Sequence, residues 1–414
     1  MNLLHRLPQI VAALLLGVLG GCSPADRSGE VPAAGSAEGP GSACTINGTA
    51  RDDVLRGTAA GDTICGGGGN DVLVGRGGKD VLIGGAGSDA GLGGGQEDSI
   101  RGGSGIDLLL GGPAADVLQG GTGDDRCTSG SGDRAVSCSQ PSDAPIVAAA
   151  GDIACPPGDD PSGDLCQQRA TSDLLLQSDA WAVLTLGDNQ YEDGELQGFQ
   201  GSYAASWGRV KAITRPSPGN HDYHVSGAAG YYAYFGPLAG DPDKGYYSFD
   251  VGAWHLIALN SNCDEVGGCD DGSSQGEWLS ADLAAHASAC TLAYWHHPRF
   301  SSGDHGNDDA YDAFWRILHD GGADIVLNGH DHDYERFAPQ DPDQQADPNG
   351  IRGFVVGTGG KSLRPFVSAE PNSQVRDPNT FGVLELTLRA QGYDWSFVPV
   401  DGSAFEDSGS GSCH

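Results

Sequence analysis

Five short apolar segments in the second part of the chain end at corners that carry acidic, amide or imidazole side chains. Short runs of this kind, bounded by glycine or proline, are typical of buried strands in an α/β sheet. Such sheets bind ligands outside the carboxyl ends of their strands. We therefore expect the five corners to meet at one site. The segments cover residues 146–150, 182–186, 215–218, 292–295 and 325–328.

The last of these corners carries two histidines separated by one residue. Residues two apart in an extended segment point to the same side, so His330 and His332 share a side while Asp331 turns away. Two imidazoles on one side suit a pair of metal ions about 3.5–4 Å apart. A pair of surface histidines at a turn is the alternative. The ligand-type residues at the other corners favour the metal site.

Residues 48–127 repeat with a period of nine. The unit Gly-Gly-x-Gly-x-Asp resembles the calcium-binding nonapeptide of RTX proteins, which folds as a parallel β-roll. Its glycines permit left-handed turns, and each carboxylate is a hard ligand for Ca²⁺. A disordered glycine-rich linker would share the composition but not the register. The aspartates stand at positions 53, 62, 71, 80, 89, 98, 107, 116 and 125. Leu73, Leu82, Ile100, Leu109 and Leu118 are expected to fill the interior.

The complete motif occurs only in alternate repeats, beginning at residues 66, 84, 102 and 120. The intervening repeats carry Thr58, Ala60, Arg76, Gln96 and Ala114 in place of turn glycines. In the RTX roll one turn takes two nonapeptides, so alternate repeats stack along one edge. A side chain at positive φ costs about 1 kcal/mol. We therefore expect calcium along the edge of Asp71, Asp89, Asp107 and Asp125, and weak or absent binding opposite.

The N-terminal segment predicts an exported protein. Residues 10–19 form an apolar run that is too short to span a bilayer and has the form of a signal peptide. The sequence Leu-Gly-Gly-Cys that ends at Cys22 resembles a bacterial lipobox, in which the cysteine carries lipid. An ordinary secretory signal is the alternative. We expect an outer-membrane or cell-surface lipoprotein, or a secreted protein, with a flexible tether over residues 23–43.

The composition of the chain limits the kinds of partner that it is expected to bind. The formal net charge is −34, which argues against nucleic acid as a specific partner and favours cations. The chain has eleven cysteines, so ten remain if Cys22 carries lipid, and an even number suits disulfides in an oxidising compartment. Neighbours in sequence suggest the pairs Cys44–Cys65, Cys127–Cys138, Cys155–Cys166 and Cys263–Cys269, which leaves Cys290 with Cys413.

The motifs at the five corners, taken in order, resemble those of calcineurin-like metallophosphoesterases. They are Gly151-Asp152, Gly187-Asp188-x-x-Tyr191, Gly219-Asn220-His221-Asp222, His296 and Gly329-His330-x-His332. The tyrosine points to the branch that includes purple acid phosphatases. The resemblance implies an α/β fold, a four-layer α/β/β/α sandwich over residues 146–414. An all-β parallel roll at 44–138 and a linker at 139–145 precede it.

The resemblance also implies two metal ions bridged by Asp188. Asp152, Tyr191 and His332 would complete the first site, and Asn220, His296 and His330 the second. Many relatives carry a histidine two residues after the first aspartate, where this chain has Ala154. A phenolate is a hard donor suited to Fe³⁺, whereas an amide with two imidazoles suits Zn²⁺, Mn²⁺ or Fe²⁺.

Two further histidines have expected catalytic roles by resemblance. His221 would face the phosphate without binding metal, or alternatively fix the Asn220 loop. His305 stands nine residues after His296, where purple acid phosphatases carry a histidine that assists the leaving group.

These features predict an exported hydrolase of phosphate monoesters, with the roll as a calcium-dependent spacer. A phosphodiesterase or nucleotide hydrolase of the same fold is one alternative. An inactive calcium-dependent surface adhesin is another, but none of the expected metal ligands is missing.

Overall fold

The computed structural model describes residues 43–128, 132–139, 142, 144–286 and 290–414. The predicted signal peptide with Cys22, and the tether up to residue 42, lie outside the described residues. Within the described ranges, no helix has both the length and the apolar character needed to cross a membrane.

The nine-residue repeat forms two stacked parallel sheets with successive strands in alternate sheets. Strand partners are eighteen residues apart, as in Leu82 opposite Ile100, because one turn of the roll takes two repeats. The five interior residues expected from the sequence are at most 1% exposed. One sheet contains β1 (Ile46–Asn47), β3 (Thr63–Gly68), β5 (Val81–Ala86), β7 (Ser99–Ser104), β9 (Val117–Thr122) and β11 (Arg134–Val136). The other contains β2 (Val54–Arg56), β4 (Val72–Arg76), β6 (Ala90–Gly94), β8 (Leu108–Leu110) and β10 (Arg126–Thr128).

The second part of the chain folds around two mixed sheets that pack face to face. The first has the order β14-β13-β12-β22-β23-β24 and the second β15-β16-β17-β18-β20-β19-β21. Their strands are β12 (Ile146–Ala150), β13 (Ala180–Leu186), β14 (Thr214–Ser217), β15 (Tyr247–Val251), β16 (Trp254–Ala258), β17 (Cys290–Tyr294), β18 (Ile325–Asn328), β19 (Tyr334–Phe337), β20 (Arg352–Val356), β21 (Ser373–Asp377), β22 (Gly382–Arg389), β23 (Gly392–Pro399) and β24 (Ser408–Ser412).

Alternation along the central strands explains the layers. On β17, Leu292 and Tyr294 face the core between the sheets, whereas Ala293 faces the outer core under the helices. Two helices cover this outer face, with Leu279 of α5 and Phe314 of the amphipathic α6 fully buried. The helices are α1 (Gln168–Gln177), α2 (Leu196–Gly198), α3 (Ala229–Phe235), α4 (Cys263–Val266), α5 (Ser274–Ala285) and α6 (Asp312–Asp320). Short 3₁₀ turns cover Trp207–Ile213, Asp222–His224, Ser226–Ala228, Gly236–Ala239 and Asp309–Tyr311, and Phe199–Tyr203 forms a π-helical turn. The predicted sandwich and roll are confirmed.

All five suggested disulfides are present. They join Cys44 to Cys65, Cys127 to Cys138, Cys155 to Cys166, Cys263 to Cys269 and Cys290 to Cys413.

The roll is not a separate body, which differs from the spacer expected from the sequence. Residues 43–414 form one compact unit, and Val72, Ala90 and Leu108 of the roll belong to the main core of the sandwich. The buried Lys211 reaches from the sandwich into the roll, where its ammonium donates to the carbonyl of Asn70 at 2.9 Å. The two parts therefore share buried surface and a buried cation.

Polar contacts extend this interface. Tyr234 donates its hydroxyl hydrogen to Asp52 Oδ2 at 2.8 Å, and Ser88 Oγ donates to the carbonyl of Arg209 at 2.8 Å. Burial and four nearby aspartates of the roll act in opposite directions on Lys211, and burial prevails, lowering its pKa to about 8.

Candidate metal centre

The five corners meet at one edge of the sandwich, because the central strands of each sheet run parallel. Three of the corner residues have left-handed backbone: Asp152 at φ 60°, Asp188 at φ 47° and His330 at φ 70°. Non-glycine residues in this region carry about 1–3 kcal/mol of strain each, and such strain clusters at functional sites. The turns thereby direct three side chains of ligand type to one place.

The first donor group surrounds the hydroxyl of Tyr191. That oxygen lies 2.8 Å from Asp152 Oδ1, 2.8 Å from Asp188 Oδ2 and 3.2 Å from His332 Nε2. His332 Nε2 is also 3.3 Å from Asp152 Oδ1, and all four residues are at most 4% exposed. One hydroxyl hydrogen cannot satisfy three acceptors, so this arrangement fits a hard cation.

The second donor group is built on His296. Its Nε2 lies 3.0 Å from Asn220 Oδ1, 3.1 Å from His330 Nδ1 and 3.3 Å from Asp188 Oδ1. Asp188 therefore presents one carboxylate oxygen to each group. An amide oxygen, two imidazole nitrogens and a carboxylate suit a divalent transition metal.

Hydrogen bonds orient the imidazoles. His296 Nδ1 lies 2.8 Å from the carbonyl of Leu186, and His332 Nδ1 lies 2.6 Å from Ser362 Oγ. These contacts turn the Nε2 atoms inward, as second partners of ligating histidines do. The neighbouring His297 instead approaches Ser261 Oγ at 2.8 Å through its Nδ1.

His221 and His305 stand at the rim of the two groups. The His221 backbone N–H donates to Asp188 Oδ1 at 2.8 Å, and its Nε2 lies 3.9 Å from Asp188 Oδ2. The His305 ring lies 4.0 Å from that of His330, centroid to centroid. Its Nδ1 is 2.9 Å from Asp331 Oδ1, and this hydrogen bond raises the pKa of His305. A histidine that keeps its proton to higher pH suits an acid.

Sequence reasoning assigned no role to several residues that hold the site. Asp222 Oδ2 accepts the backbone N–H groups of Asn189 at 3.2 Å and Gly219 at 2.9 Å, which ties two corners together. Lys361 lies over the Tyr191 ring at 4.8 Å and pairs with Glu192. A signal for Lys361 exists in the sequence, because the apolar strand β20 also leads into a glycine-rich corner.

The roll carries a second class of candidate cation site. Its turn glycines 67, 69, 85, 87, 103, 105, 121 and 123 all have φ between +96° and +134° along one edge. On the opposite edge Arg76 takes φ 77°, a strained value for a non-glycine residue. The edge with two glycines in every turn is the one on which Asp71, Asp89, Asp107 and Asp125 lie.

Each aspartate of this edge has one hydrogen-bonded and one unpaired carboxylate oxygen. In the described chain, the Oδ2 atoms of Asp71, Asp89, Asp107 and Asp125 are buried without a hydrogen-bond partner, as are those of Asp80, Asp98 and Asp116 opposite. Their Oδ1 atoms accept backbone N–H groups from the neighbouring turn of the same edge, as when Asp71 N donates to Asp89 Oδ1 at 2.8 Å. Burial raises the pKa of Asp71 to about 7 and that of Asp107 to about 8. Buried unpaired carboxylates fit Ca²⁺.

Calcium binding to the roll should strengthen as pH rises from about 5.5 to 8. The folded roll raises the pKa of Asp71 to about 7 and of Asp89 to about 6, from 3.8. The calcium-free roll therefore loses stability as pH rises through this window, while the carboxylates become available to Ca²⁺. Calcium titrations followed by circular dichroism at several pH values measure the shift. A midpoint independent of pH would contradict it.

Two parts of the chain are similar to known protein families. Residues 148–334 match the calcineurin-like phosphoesterase family, and residues 45–73, 66–100 and 101–134 match the RTX calcium-binding nonapeptide repeat. Purple acid phosphatase 15 of Arabidopsis thaliana is 32% identical over 215 residues, which cover 47% of this chain and 39% of that protein. Purple acid phosphatase 21 of the same plant is 29% identical over 255 residues, covering 55% and 56%.

A solved structure shares the fold. Purple acid phosphatase PPD1, isolated from yellow lupin (Lupinus luteus) seeds, superposes with a TM-score of 0.54 at 20% identity, covering 65% of this chain and 54% of that chain. The chain thus spans about two-fifths to just over half the length of these relatives. It carries a calcineurin-like metallophosphoesterase domain, homologous to purple acid phosphatases, behind RTX calcium-binding repeats.

Proposed function

We propose that the chain is a binuclear metal-dependent phosphatase that hydrolyses phosphate monoesters. The observation that carries this proposal is the placement of Asp188, whose Oδ2 lies 2.8 Å from Tyr191 Oη and whose Oδ1 lies 3.3 Å from His296 Nε2. One carboxylate that reaches both donor groups can bridge two cations. Such a pair would polarise the phosphate and lower the pKa of a water molecule.

The chain supplies positioning and proton transfer around the metals. His221 Nε2 lies 3.9 Å from the carboxylate of Asp188, and from there it would stabilise the charge that develops on the phosphate. His305, whose pKa the hydrogen bond to Asp331 raises, would donate a proton to the leaving-group oxygen. The strained corners keep the ligands in place before substrate arrives.

The first donor group would hold Fe³⁺ and the second Zn²⁺, Mn²⁺ or Fe²⁺. Tyr191 distinguishes the groups, because burial and the neighbouring carboxylates raise the pKa of its phenol well above the ordinary value. A phenolate therefore forms there only when a strong Lewis acid binds it.

Tyr191→Phe should abolish the visible charge-transfer band of the iron-loaded protein. The band arises from the phenolate–Fe³⁺ pair, so removal of the phenol oxygen removes its donor. Absorption spectra with metal analysis of both proteins measure this. Tyr223→Phe is the matched control, because the hydroxyl that it removes contacts Asn260 and Tyr232 and, within the described chain, none of the seven proposed ligands. A colourless, active protein with only divalent metals would exclude the iron assignment.

His305→Ala should leave the metal content unchanged and slow poor leaving groups more than good ones. An alkoxide needs a proton from His305, whereas nitrophenolate does not, so we expect about 10²-fold loss on an alkyl phosphate and little loss on nitrophenyl phosphate. Steady-state kinetics on the two esters decide the point. Equal losses would remove His305 from acid catalysis.

We also propose that the protein is exported. The five disulfides of the described chain form and persist in oxidising compartments, and this supports a protein that works outside the cytoplasm. Attachment to a membrane through lipid on Cys22 remains part of the proposal, and palmitate labelling of wild type and Cys22→Ser tests it.

A further inference from the structure

We propose that the leaving group of the substrate carries a positive charge, and that a pocket beside the metal centre recognises it. This inference rests on the proposed phosphatase function and adds a substrate class to it. The acidic pocket, as we name it, has a volume of about 440 Å³. Asn220, Tyr223, Tyr311, Asp264 and Glu265 are among its lining residues.

The acidic pocket adjoins the second donor group. Asn220 belongs to both, because its Oδ1 lies 3.0 Å from His296 Nε2 while the residue also forms part of the pocket wall. A group esterified to a phosphate at the centre therefore reaches the pocket directly. The volume suits a small leaving group.

Two aromatic rings form fixed walls of the pocket. Tyr223 Oη accepts a hydrogen bond from Asn260 Nδ2 at 2.8 Å, and Tyr311 Oη donates to the carbonyl of Ser261 at 3.0 Å. The Tyr311 ring also stacks on His297 with centroids 5.6 Å apart. With their hydroxyls engaged, the rings are held in place, and aromatic rings attract ammonium groups.

The charged groups of the pocket are carboxylates. Asp264 and Glu265 lie exposed on α4, whose first residue is joined to Cys269 by a disulfide. No lysine or arginine is among the described lining residues, and neither carboxylate forms an ion pair within the described chain. A cationic group would therefore meet two unpaired carboxylates and the partly exposed ring of Tyr223, while the buried Tyr311, stacked on His297, forms the wall behind them.

The opposite side of the centre is also unfavourable to anions. A second cavity beside Tyr191 is lined by Glu192, Asp193 and Glu195. Lys361 lies close by but is paired with Glu192, and Arg364 lies 3.7 Å from Asp304. Polyanionic leaving groups, such as those of nucleoside polyphosphates, would meet carboxylates on both sides.

Phosphocholine and 3,3-dimethylbutyl phosphate test the inference, because they differ only in a nitrogen cation replaced by a neutral carbon. We expect kcat/KM to favour phosphocholine by about tenfold. Asp264→Asn with Glu265→Gln should bring the ratio close to one. Asp271→Asn with Glu277→Gln removes the same charge from exposed positions outside the acidic pocket and should retain the preference.

The outcomes separate this inference from the proposed function. Equal kcat/KM for the two esters in the wild type, or a preference for ATP over phosphocholine, would overturn the charge recognition and leave the phosphatase intact. Hydrolysis of no ester by the metal-loaded protein would overturn the phosphatase. Calorimetry with choline and 3,3-dimethylbutanol then tests whether the acidic pocket binds a cation. Choline binding that is lost in the Asp264/Glu265 double variant supports the inference, and absence of choline binding to the wild type overturns it.

Discussion

Asp188→Ala should remove both metal ions and lower kcat by more than about 10³-fold. Its two oxygens face different donor groups, at 2.8 Å from Tyr191 Oη and 3.3 Å from His296 Nε2, so neither group keeps an anionic bridge without it. Metal analysis after dialysis, together with nitrophenyl phosphate kinetics, measures both effects. Among the proposed ligands only this substitution should empty both sites at once.

Two control variants accompany Asp188→Ala. Asp188→Asn keeps the shape of the buried side chain but not its charge, and it should lose metal as fully as alanine does. Asp401→Ala removes an exposed carboxylate and should change neither metal content nor kcat. Retention of one tightly bound metal by Asp188→Ala would mean that the two donor groups bind independently.

Asp89→Ala should reduce the calcium-dependent stability of the whole chain, while Asp98→Ala should change it little. Asp89 lies on the edge with glycine at both turn positions. When the calcium concentration is a hundred times the Kd of a site, loss of that site lowers the free energy of unfolding by about 2.7 kcal/mol. The effect reaches the phosphoesterase domain, because Val72, Ala90 and Leu108 of the roll belong to its core.

Calorimetric unfolding of the full chain, with calcium and with chelator, measures this effect alongside residual phosphatase activity. We expect roll and phosphoesterase to unfold together at a lower temperature after chelation. Equal effects of the two substitutions would contradict a one-edged ladder. An unchanged unfolding temperature of the phosphoesterase after chelation would restore the roll to the role of a separate spacer.

The site was predictable because its ligands follow buried strands directly in sequence. The corner after β18, with His330 and His332, and the corner after β13, with Asp188 and Tyr191, need only the rule that parallel strands end at one edge. Contacts from distant segments were not predictable in this way. Ser362 approaches His332 from a loop that has no ligand-type pattern of its own.

The packing of the roll against the sandwich was not predicted, although the sequence contains a signal for it. Strand β4 carries Val72 and Val74 on either side of the interior Leu73, so it is apolar on both faces. Strand β7, in the other sheet, carries Ser99 and Arg101 at the equivalent positions around Ile100. In that other sheet only β5 resembles β4, with Val81 and Ile83 around Leu82. The more apolar outer face, on the sheet of β4, indicates which sheet is covered. The sequence gives no such signal for Lys211. A lysine is buried only where it has a polar partner, and the pattern of apolar and polar positions does not identify that partner.

The left-handed backbone at Asp152, Asp188 and His330 also means that stability and metal binding make opposite demands on these corners. Glycine would relieve the strain at each position, by about 1 kcal/mol, and most random substitutions elsewhere offer no such gain. Each of the three positions instead carries a side chain of ligand type, so the fold holds strain at the corners where the proposed metals would bind.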